Sequence, residues 1–180
     1  MIKIDDCVLV IIDQQDKLVQ ASESSDNIVI NTAKLAKAAD ILSIPTIVTE
    51  QYPQGLGETA AILKNNLPQE TVFVEKTSFS AVNEAEFAKK FSATRRNQIL
   101  LCGIETHICV LQTALGFMEK GLDVYIIKDC CSSRHQKDHE TAIELLRQYG
   151  AGIINIEIAL FDLIKTSKHP NFKEIQALIK

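Results

Sequence analysis

Short runs of apolar residues recur along the chain, separated by longer segments of mixed polarity. Six of these runs are rich enough in β-branched and other apolar residues to predict fully buried strands. They are CVLVII (7–12), PTIVTE (45–50), TVFVEK (71–76), NQILLCG (97–103), LDVYIIKD (122–129) and AGIINI (151–156). Continuously apolar strands of this kind are typical of a parallel sheet that is covered on both faces.

The segments between the strands carry apolar residues at helical spacing. We expect helices over 27–43, 84–93, 107–120, 137–149, 157–165 and 171–179. The alternation of strands and helices predicts an α/β fold, a three-layer αβα sandwich, in a single domain over 1–180. The stretch EQYPQGLGETA (50–60) contains one Pro and two Gly residues, which predict a loop.

Composition and charge indicate which kinds of binding partner, such as nucleic acid or membrane, the protein is expected to have. Hydrophobic residues make up 46% of the chain, and the formal net charge is -4. An acidic balance argues against a general nucleic-acid binder, so no nucleic-acid partner is expected. The apolar run near the N-terminus is too short for a signal peptide or a membrane helix. We therefore expect a cytoplasmic protein without a membrane partner.

Cysteine and histidine patterns give no metal or disulfide framework. The chain has five cysteines, an odd number, and no CxxC motif, which argues against paired disulfides and a zinc site. His135 and His139 have the i, i+4 spacing of a helical metal site, but no third ligand is evident. We expect both rings to be solvated. Cys102 lies within a predicted strand and is expected in the core.

Three residues of chemical interest follow predicted strands: Asp13, Lys76 and Cys109. In a parallel sheet, the loops at the strand carboxyl ends build the binding site. With Thr106 as N-cap, Cys109 would lie in a first helical turn, whose free N–H groups stabilise a thiolate or a developing oxyanion. Lys76 would lower the thiol pKa further. Asp13 could accept the thiol proton and pass it to a leaving group.

Each of these residues also has a structural explanation. A cysteine on a helix of an α/β protein is often an inert core residue. Asp13 could serve as a turn or cap residue, and Lys76 could simply face solvent. From the residues alone, both sets of explanations stay open.

The three residues and their flanking blocks resemble the isochorismatase-like cysteine hydrolase superfamily. The matching blocks are VLVIIDQQ, VEKTSFSA, GIETHICVLQTALG and VYIIKDCCSSR. The segments VTEQYPQGLGET and HPNFKEIQALIK are similar to the subgroup of isochorismatase domain-containing proteins in particular. The resemblance runs from about residue 6 to the end of the chain.

The resemblance implies a six-stranded parallel sheet of order 3-2-1-4-5-6. It implies a triad with Cys109 as nucleophile, Asp13 as general base and then acid, and Lys76 as electrostatic partner. It also implies a non-proline cis peptide bond at Ile104–Glu105, in a turn that would aim the N–H groups of Ile108 and Cys109 at the substrate oxygen. At least a dimer is expected, so we predict a homo-oligomer.

One departure from the superfamily concerns metals. Nicotinamidases of this superfamily build a metal site around an Asp-x-His pair after the second strand. The corresponding residues here, TEQYP (49–53), contain no such pair. This argues against a metal, or any other cofactor, and against nicotinamidase activity. Isochorismatases proper cleave a vinyl ether and need no thiol, so Cys109 favours carbonyl chemistry.

These observations predict a metal-free cysteine hydrolase that acts on a small amide or carbamoyl C–N substrate through a thioester. Candidate residues of the pocket wall are Leu18, Tyr52, Phe79 and Ile108, and candidate polar contacts are Gln15 and Glu105. One alternative is an oligomeric binding or scaffold protein that retains the triad with little catalysis. Another is a vinyl ether hydrolase of the isochorismatase type. The tail FKEIQALIK packs either on a neighbouring subunit or on its own sheet.

Overall fold

A computed structural model describes residues 1–23 and 25–180. Its strands are β1 (Cys7–Ile12), β2 (Thr46–Gln51), β3 (Val72–Lys76), β4 (Gln98–Ile104), β5 (Asp123–Ser132) and β6 (Gly152–Ile154). The strands are parallel and form one sheet of order β3-β2-β1-β4-β5-β6. The strand content, the parallel pairing and the order expected from the sequence are confirmed.

Helices flank the sheet, as the three-layer prediction requires. They are α1 (Asp16–Ala21), α2 (Ser25–Ile41), α3 (Pro53–Leu56), α4 (Ala61–Lys64), α5 (Ala85–Thr94), α6 (Leu111–Met118), α7 (Gln136–Gln148), α8 (Ile156–Ile164) and α9 (Phe172–Ala177). A π-helical turn, Thr106–Val110, leads from β4 into α6. No helix in the described ranges is long and apolar enough to cross a membrane.

The core is centred on β1 and β4. All six residues of β1 and all seven of β4 are buried. Fully burying one Leu or Ile side chain contributes about 1.5–3 kcal/mol, so these two strands contribute substantially to the stability of the core. Cys102 is fully buried in β4, as predicted. The tail forms α9, buries Ile175 and contacts α2 of the same chain, so it packs on its own subunit, on a helix and not directly on the sheet. Packing on a neighbouring subunit stays a prediction.

The structure corrects several boundaries. Strand β5 continues to Ser132, three residues past the predicted end at 129, because Cys131 and Ser132 pair with the end of β4. The predicted helix 107–120 is divided into the π-helical turn and α6. The sequence pattern missed α1, and the predicted loop 50–60 contains α3. Helices of six and four residues are too short to show a helical period.

The carboxyl edge of the sheet requires unusual backbone at the ends of β1 and β4. Asp13 adopts φ +50, a left-handed conformation that Asp tolerates better than most residues. Gly103 adopts φ +136, and a Cβ atom there would lie 2.1 Å from the carbonyl oxygen of Ile12. Only glycine therefore lets β4 approach β1 at this point. One residue further along, the Ile104–Glu105 peptide bond is cis, as expected.

Gly103→Ala is expected to lower the free energy of unfolding by about 3 kcal/mol or more, because overpacking and backbone strain each cost about 1–3 kcal/mol. Urea denaturation would measure the change. The matched control is Gly121→Ala, at φ +75 with no described atom within 4 Å of its added Cβ; we expect a loss of about 1–2 kcal/mol there. Equal losses in the two variants would contradict this account of Gly103.

Candidate active site

Three side chains from three different elements meet at the carboxyl edge of the sheet. Asp13 directly follows β1, Lys76 ends β3, and Cys109 lies in the π-helical turn after β4. The ammonium Nζ of Lys76 lies 2.7 Å from Asp13 Oδ2, and both side chains are fully buried. The Cys109 thiol interacts with both charged groups, and only 7% of the residue is exposed. The structure therefore brings together the three residues that the sequence singled out.

Asp13 is oriented by β2. The Thr49 hydroxyl donates to Asp13 Oδ1 at 2.6 Å, and the Asp13 N–H donates to the Thr49 carbonyl at 3.1 Å. Within the described part of the chain, Oδ2 faces Lys76 but has no partner in good hydrogen-bonding direction. Burial raises the pKa of Asp13, an effect that the Lys76 ammonium opposes. Oδ2 is thus placed to accept a proton, and a raised pKa makes it a stronger base.

Lys76 does not face solvent, so that alternative is wrong. Strand β2 lies between β3 and β1, and two strand spacings measure about 10 Å, which requires a long side chain to reach Asp13. The burial of β3 alternates, and Lys76 falls on the buried side. Its Nζ donates to Gln51 Oε1 at 2.5 Å and to the carbonyls of Ser78 and Phe79 at 3.1 and 3.3 Å.

The turn that holds Cys109 is not capped as predicted. The Thr106 hydroxyl donates to the carbonyl of Ser132 at 3.0 Å instead of capping the helix. Because this uses its only proton, Thr106 accepts from Nδ1 of His139, 2.9 Å away. His139 is therefore a buried ring that fixes the turn, and its expected solvation is wrong. His135 is exposed, as expected.

The oxyanion prediction is corrected for one of its two N–H groups. The Ile108 N–H donates to the carbonyl of Glu105 at 3.1 Å, and the Val110 N–H donates to the same oxygen at 3.2 Å. The Ile108 N–H is thus already used inside the turn. Of the two predicted donors, the Cys109 N–H remains the candidate for the substrate oxygen.

The pKa of the Cys109 thiol moves in the opposite direction to the one expected. Burial, followed by the negative charge of Asp13, raises it to about 12, and the Lys76 ammonium opposes this only in part. Burial outweighs the lysine because a thiolate loses its hydration in this site. The raised pKa favours the neutral thiol at neutral pH, and Asp13 is the nearest group that could accept its proton.

The two predicted polar contacts are already engaged with the protein. Gln15 is fully buried, and its Nε2 donates to the carbonyls of Gln51 and Gly57 at 3.0 and 2.6 Å, while its Oε1 accepts the Gln51 N–H at 2.7 Å. Gln15 therefore orders the backbone. Glu105 Oε1 accepts the backbone N–H and the Nε–H of Arg134, at 3.1 and 2.9 Å. These contacts leave little hydrogen-bonding capacity on Gln15, whereas only one of the two Glu105 carboxylate oxygens is engaged; both contacts with substrate stay predictions.

The four predicted wall residues differ in exposure. Leu18 and Ile108 are half-buried and pack against the core. Tyr52 and Phe79 are 57% and 53% exposed. The Tyr52 ring lies over Gly55, and Tyr52 and Lys76 both line a small pocket of about 140 Å³ beside β3. All four wall residues stay predictions.

The sequence reasoning missed two residues that contact the charged pair, Thr49 and Gln51. Thr49 is paired with Ile12, next to Asp13, once β1 and β2 are neighbours, so the strand register could have identified it. Gln51 carried no such signal, because its contact depends on how deeply Lys76 is buried. Among residues 1–23 and 25–180, no group of three or more His, Cys, Asp or Glu side chains could hold a metal ion.

Comparisons with known proteins agree with the resemblance inferred from the sequence. Residues 7–158 match the family model described as the Isochorismatase domain. Isochorismatase domain-containing protein 2 from Danio rerio is 42% identical over 173 residues, which cover 96% of this chain and 86% of that protein. The secreted isochorismatase effector Isc1 from Phytophthora sojae is 38% identical over 177 residues, 96% of this chain and 84% of that protein. The structure of MAR1 ribonuclease from Caenorhabditis elegans has a TM-score of 0.94 and 38% identity, covering 99% of this chain and 91% of that one.

Lys76→Met is expected to lower the free energy of unfolding by about 3–5 kcal/mol, because it leaves the Asp13 charge buried without its partner. Adding Asp13→Asn should recover part of that loss, and denaturation of the two single variants and the double variant gives the coupling energy. Lys90→Met is the control, since the Lys90–Glu86 pair is exposed at 3.5 Å; it should cost less than about 1 kcal/mol. A similar cost for the two lysine variants would refute a stabilising buried pair.

The raised thiol pKa gives a testable dependence of stability on pH. In the unfolded chain Cys109 ionises near 9.0, but in the folded chain near 12. Its contribution is therefore fully present below pH 9 and is lost as the pH rises from 9 towards 12. Between pH 7 and 10, the wild type should lose about 1.4 kcal/mol more than Cys109→Ser. Parallel urea titrations would measure this; identical losses would show that burial does not suppress the thiolate.

Proposed function

Because the chain belongs to the isochorismatase domain family, we propose that it is a cysteine hydrolase that cleaves a C–N bond in a small amide or carbamoyl substrate. The observation that carries the proposal is the fully buried Asp13–Lys76 pair beside the Cys109 thiol. A buried ion pair is costly to maintain. The pair lies next to Cys109, so we propose that it is retained because it accepts the thiol proton during the reaction.

In the first half-reaction, Cys109 Sγ attacks the substrate carbonyl carbon while its proton moves to Asp13 Oδ2. The C–S bond forms and the carbonyl oxygen becomes an oxyanion, for which the Cys109 N–H is the candidate donor. Asp13 then gives the proton to the departing nitrogen as the C–N bond breaks. The products of this half-reaction are an amine, or ammonia, and a thioester on Cys109.

In the second half-reaction, water attacks the thioester carbonyl. Asp13, ionised again, accepts a proton from the water and returns it to Sγ as the C–S bond breaks, which releases a carboxylic or carbamic acid. Lys76 keeps its charge throughout and compensates the Asp13 carboxylate whenever that group is ionised. The cycle restores the starting protonation of both residues and consumes one water per bond cleaved.

The type of nucleophile and its burial support the substrate class. A thiol that needs a general base suits an acyl carbon, whereas cleavage of a vinyl ether needs no nucleophile of this kind. The low exposure of Cys109 favours a small substrate that can enter a narrow opening. The missing Asp-x-His pair after β2 supports chemistry without a metal.

The name of one related structure, MAR1 ribonuclease, raises RNA as an alternative substrate. The net charge of -4 and the buried thiol do not favour binding of a polyanion here. We keep the prediction of no nucleic-acid partner and include an RNA arm in the substrate panel. Cytoplasmic location and homo-oligomer assembly also remain part of the proposal, although one relative carries the name of a secreted effector.

The decisive substrate experiment is a panel of small amides, ureas and carbamoyl compounds, with a vinyl ether and an RNA oligonucleotide as comparison arms. Turnover of an amide or carbamoyl compound is expected, and Cys109→Ala should abolish it by at least about 10³-fold, as loss of a nucleophile does. Cys102→Ala is the matched control, because Cys102 is a buried core thiol. Full turnover by Cys109→Ala would rule out the covalent mechanism.

Thiol alkylation tests the same proposal without a known substrate. Iodoacetamide should modify Cys109 first, because the other four cysteines are more deeply buried and no general base is proposed for them. Peptide mass mapping over time gives the order. Equal, slow modification of all five thiols would count against an activated Cys109. Selective modification without turnover of any panel member would favour the binding or scaffold alternative.

A further inference from the structure

Gln51, the last residue of β2, contacts the charged pair directly. Its Oε1 accepts from Lys76 Nζ at 2.5 Å, and its Nε2 donates to the carbonyl of Thr77 at 2.9 Å. The ammonium can only donate and the carbonyl can only accept. The two partners therefore fix which end of the amide faces the lysine.

The backbone of Gln51 is held as firmly as its side chain. The buried Gln15 amide binds both backbone groups of this residue, accepting from its N–H at 2.7 Å and donating to its carbonyl at 3.0 Å. Gln15 also donates to the Gly57 carbonyl at 2.6 Å, which ties the end of β2 to the loop after α3. These hydrogen bonds fix the Gln51 backbone and therefore the position from which its side chain reaches Lys76.

The acceptors around the Lys76 ammonium differ in charge. Three of them are neutral: the Gln51 amide oxygen and the carbonyls of Ser78 and Phe79. Among the described residues, the only anionic group within ion-pair distance is Asp13, at 2.7 Å. The Lys76 ammonium therefore forms its ion pair with Asp13, the proposed base, without competition from a second carboxylate.

Other titratable groups near this end of the sheet are engaged elsewhere. Glu50 accepts from the N–H and the hydroxyl of Thr59, both at 2.7 Å, and Glu75 accepts from Gln54 at 3.3 Å. Glu84 accepts the N–H groups of Thr77 and Ser78 at 2.9 and 2.7 Å. The titratable group that faces the pair itself is Cys109.

We propose that Gln51 is a positioning residue for the reaction: as a neutral acceptor it holds the Lys76 ammonium against Asp13 and leaves Asp13 as the only anionic partner. This inference rests on the proposed roles of Cys109, Asp13 and Lys76. The structure explains why an amide serves here and a carboxylate would not. A carboxylate at position 51 would compete with Asp13 for the same ammonium and would also repel the Thr77 carbonyl.

Two substitutions separate positioning from simple structural support. Gln51→Glu adds a competing charge beside Lys76, and Gln51→Met removes the acceptor at nearly constant length. Both weaken the hold of the ammonium on Asp13, so both raise the pH at which Asp13 loses its proton. A purely structural role would lower stability in both variants and leave this pH unchanged.

The measurement is the rate at which iodoacetamide modifies Cys109 as a function of pH, followed by peptide mass mapping. On the acid side, the rate should fall as Asp13 is protonated and can no longer accept the thiol proton. Relative to wild type, we expect this midpoint to move up by at least about one pH unit in Gln51→Glu and about half a unit in Gln51→Met. Gln69→Glu, an exposed site on the turn before β3, carries the same added charge and should not move it.

Coincident midpoints in wild type and both Gln51 variants would overturn the inference. Should Gln51→Glu fail to fold in a urea titration, Gln51→Met alone decides the question. Failure of the proposed function gives a different result, because Cys109 would then show no preferential modification in any variant. If Cys109 is modified preferentially but the midpoint pH is the same in the Gln51 variants, the proposed role of Gln51 is wrong and the proposed function still stands.

Discussion

The ion pair between Asp13 and Lys76 is the constraint on which the rest of the site depends. Removing two charges from water costs several kcal/mol per ion, so the pair is tolerable only if its geometry is good and its remaining hydrogen-bonding groups are satisfied. The Thr49 hydroxyl and the Gln51 amide, both on β2, meet much of that need. Strand β2 therefore orients the Asp13 carboxylate, which follows β1, and the Lys76 ammonium, which lies at the end of β3.

The same pair explains the protonation of the nucleophile. A thiol beside an ionised carboxylate and away from water resists ionisation, and the pKa of Cys109 rises to about 12. Asp13 and Lys76 already neutralise each other, so a Cys109 thiolate would be a buried negative charge without a partner of its own. The proposed mechanism therefore requires that a proton move from Sγ to Asp13 during attack, because burial disfavours a permanent thiolate. The left-handed Asp13 and the close approach permitted by Gly103 bring the elements near enough for that transfer.

Much of this could be predicted from the sequence, and the remainder could not for identifiable reasons. The apolar runs fixed the strands, and the polar residues that follow them gave Asp13, Lys76 and Cys109. The burial of Lys76 could not be predicted, since it depends on the side chain extending from β3 across β2 to reach Asp13. The π-helical turn and the engagement of Thr106 by Ser132 depend on tertiary partners that no local pattern reveals. The predicted lowering of the Cys109 pKa is wrong, because burial raises this pKa by more than Lys76 lowers it, and burial cannot be read from the local sequence.

Intact-protein mass spectrometry after brief exposure to p-nitrophenyl acetate tests whether Cys109 becomes acylated with Asp13 as its base. We expect one acetyl group per chain, located on the peptide that contains Cys109. The acetyl group should be absent in Cys109→Ala and strongly reduced in Asp13→Asn. Acetylation at another residue, or unchanged acetylation of Cys109 in Asp13→Asn, would contradict the proposed mechanism.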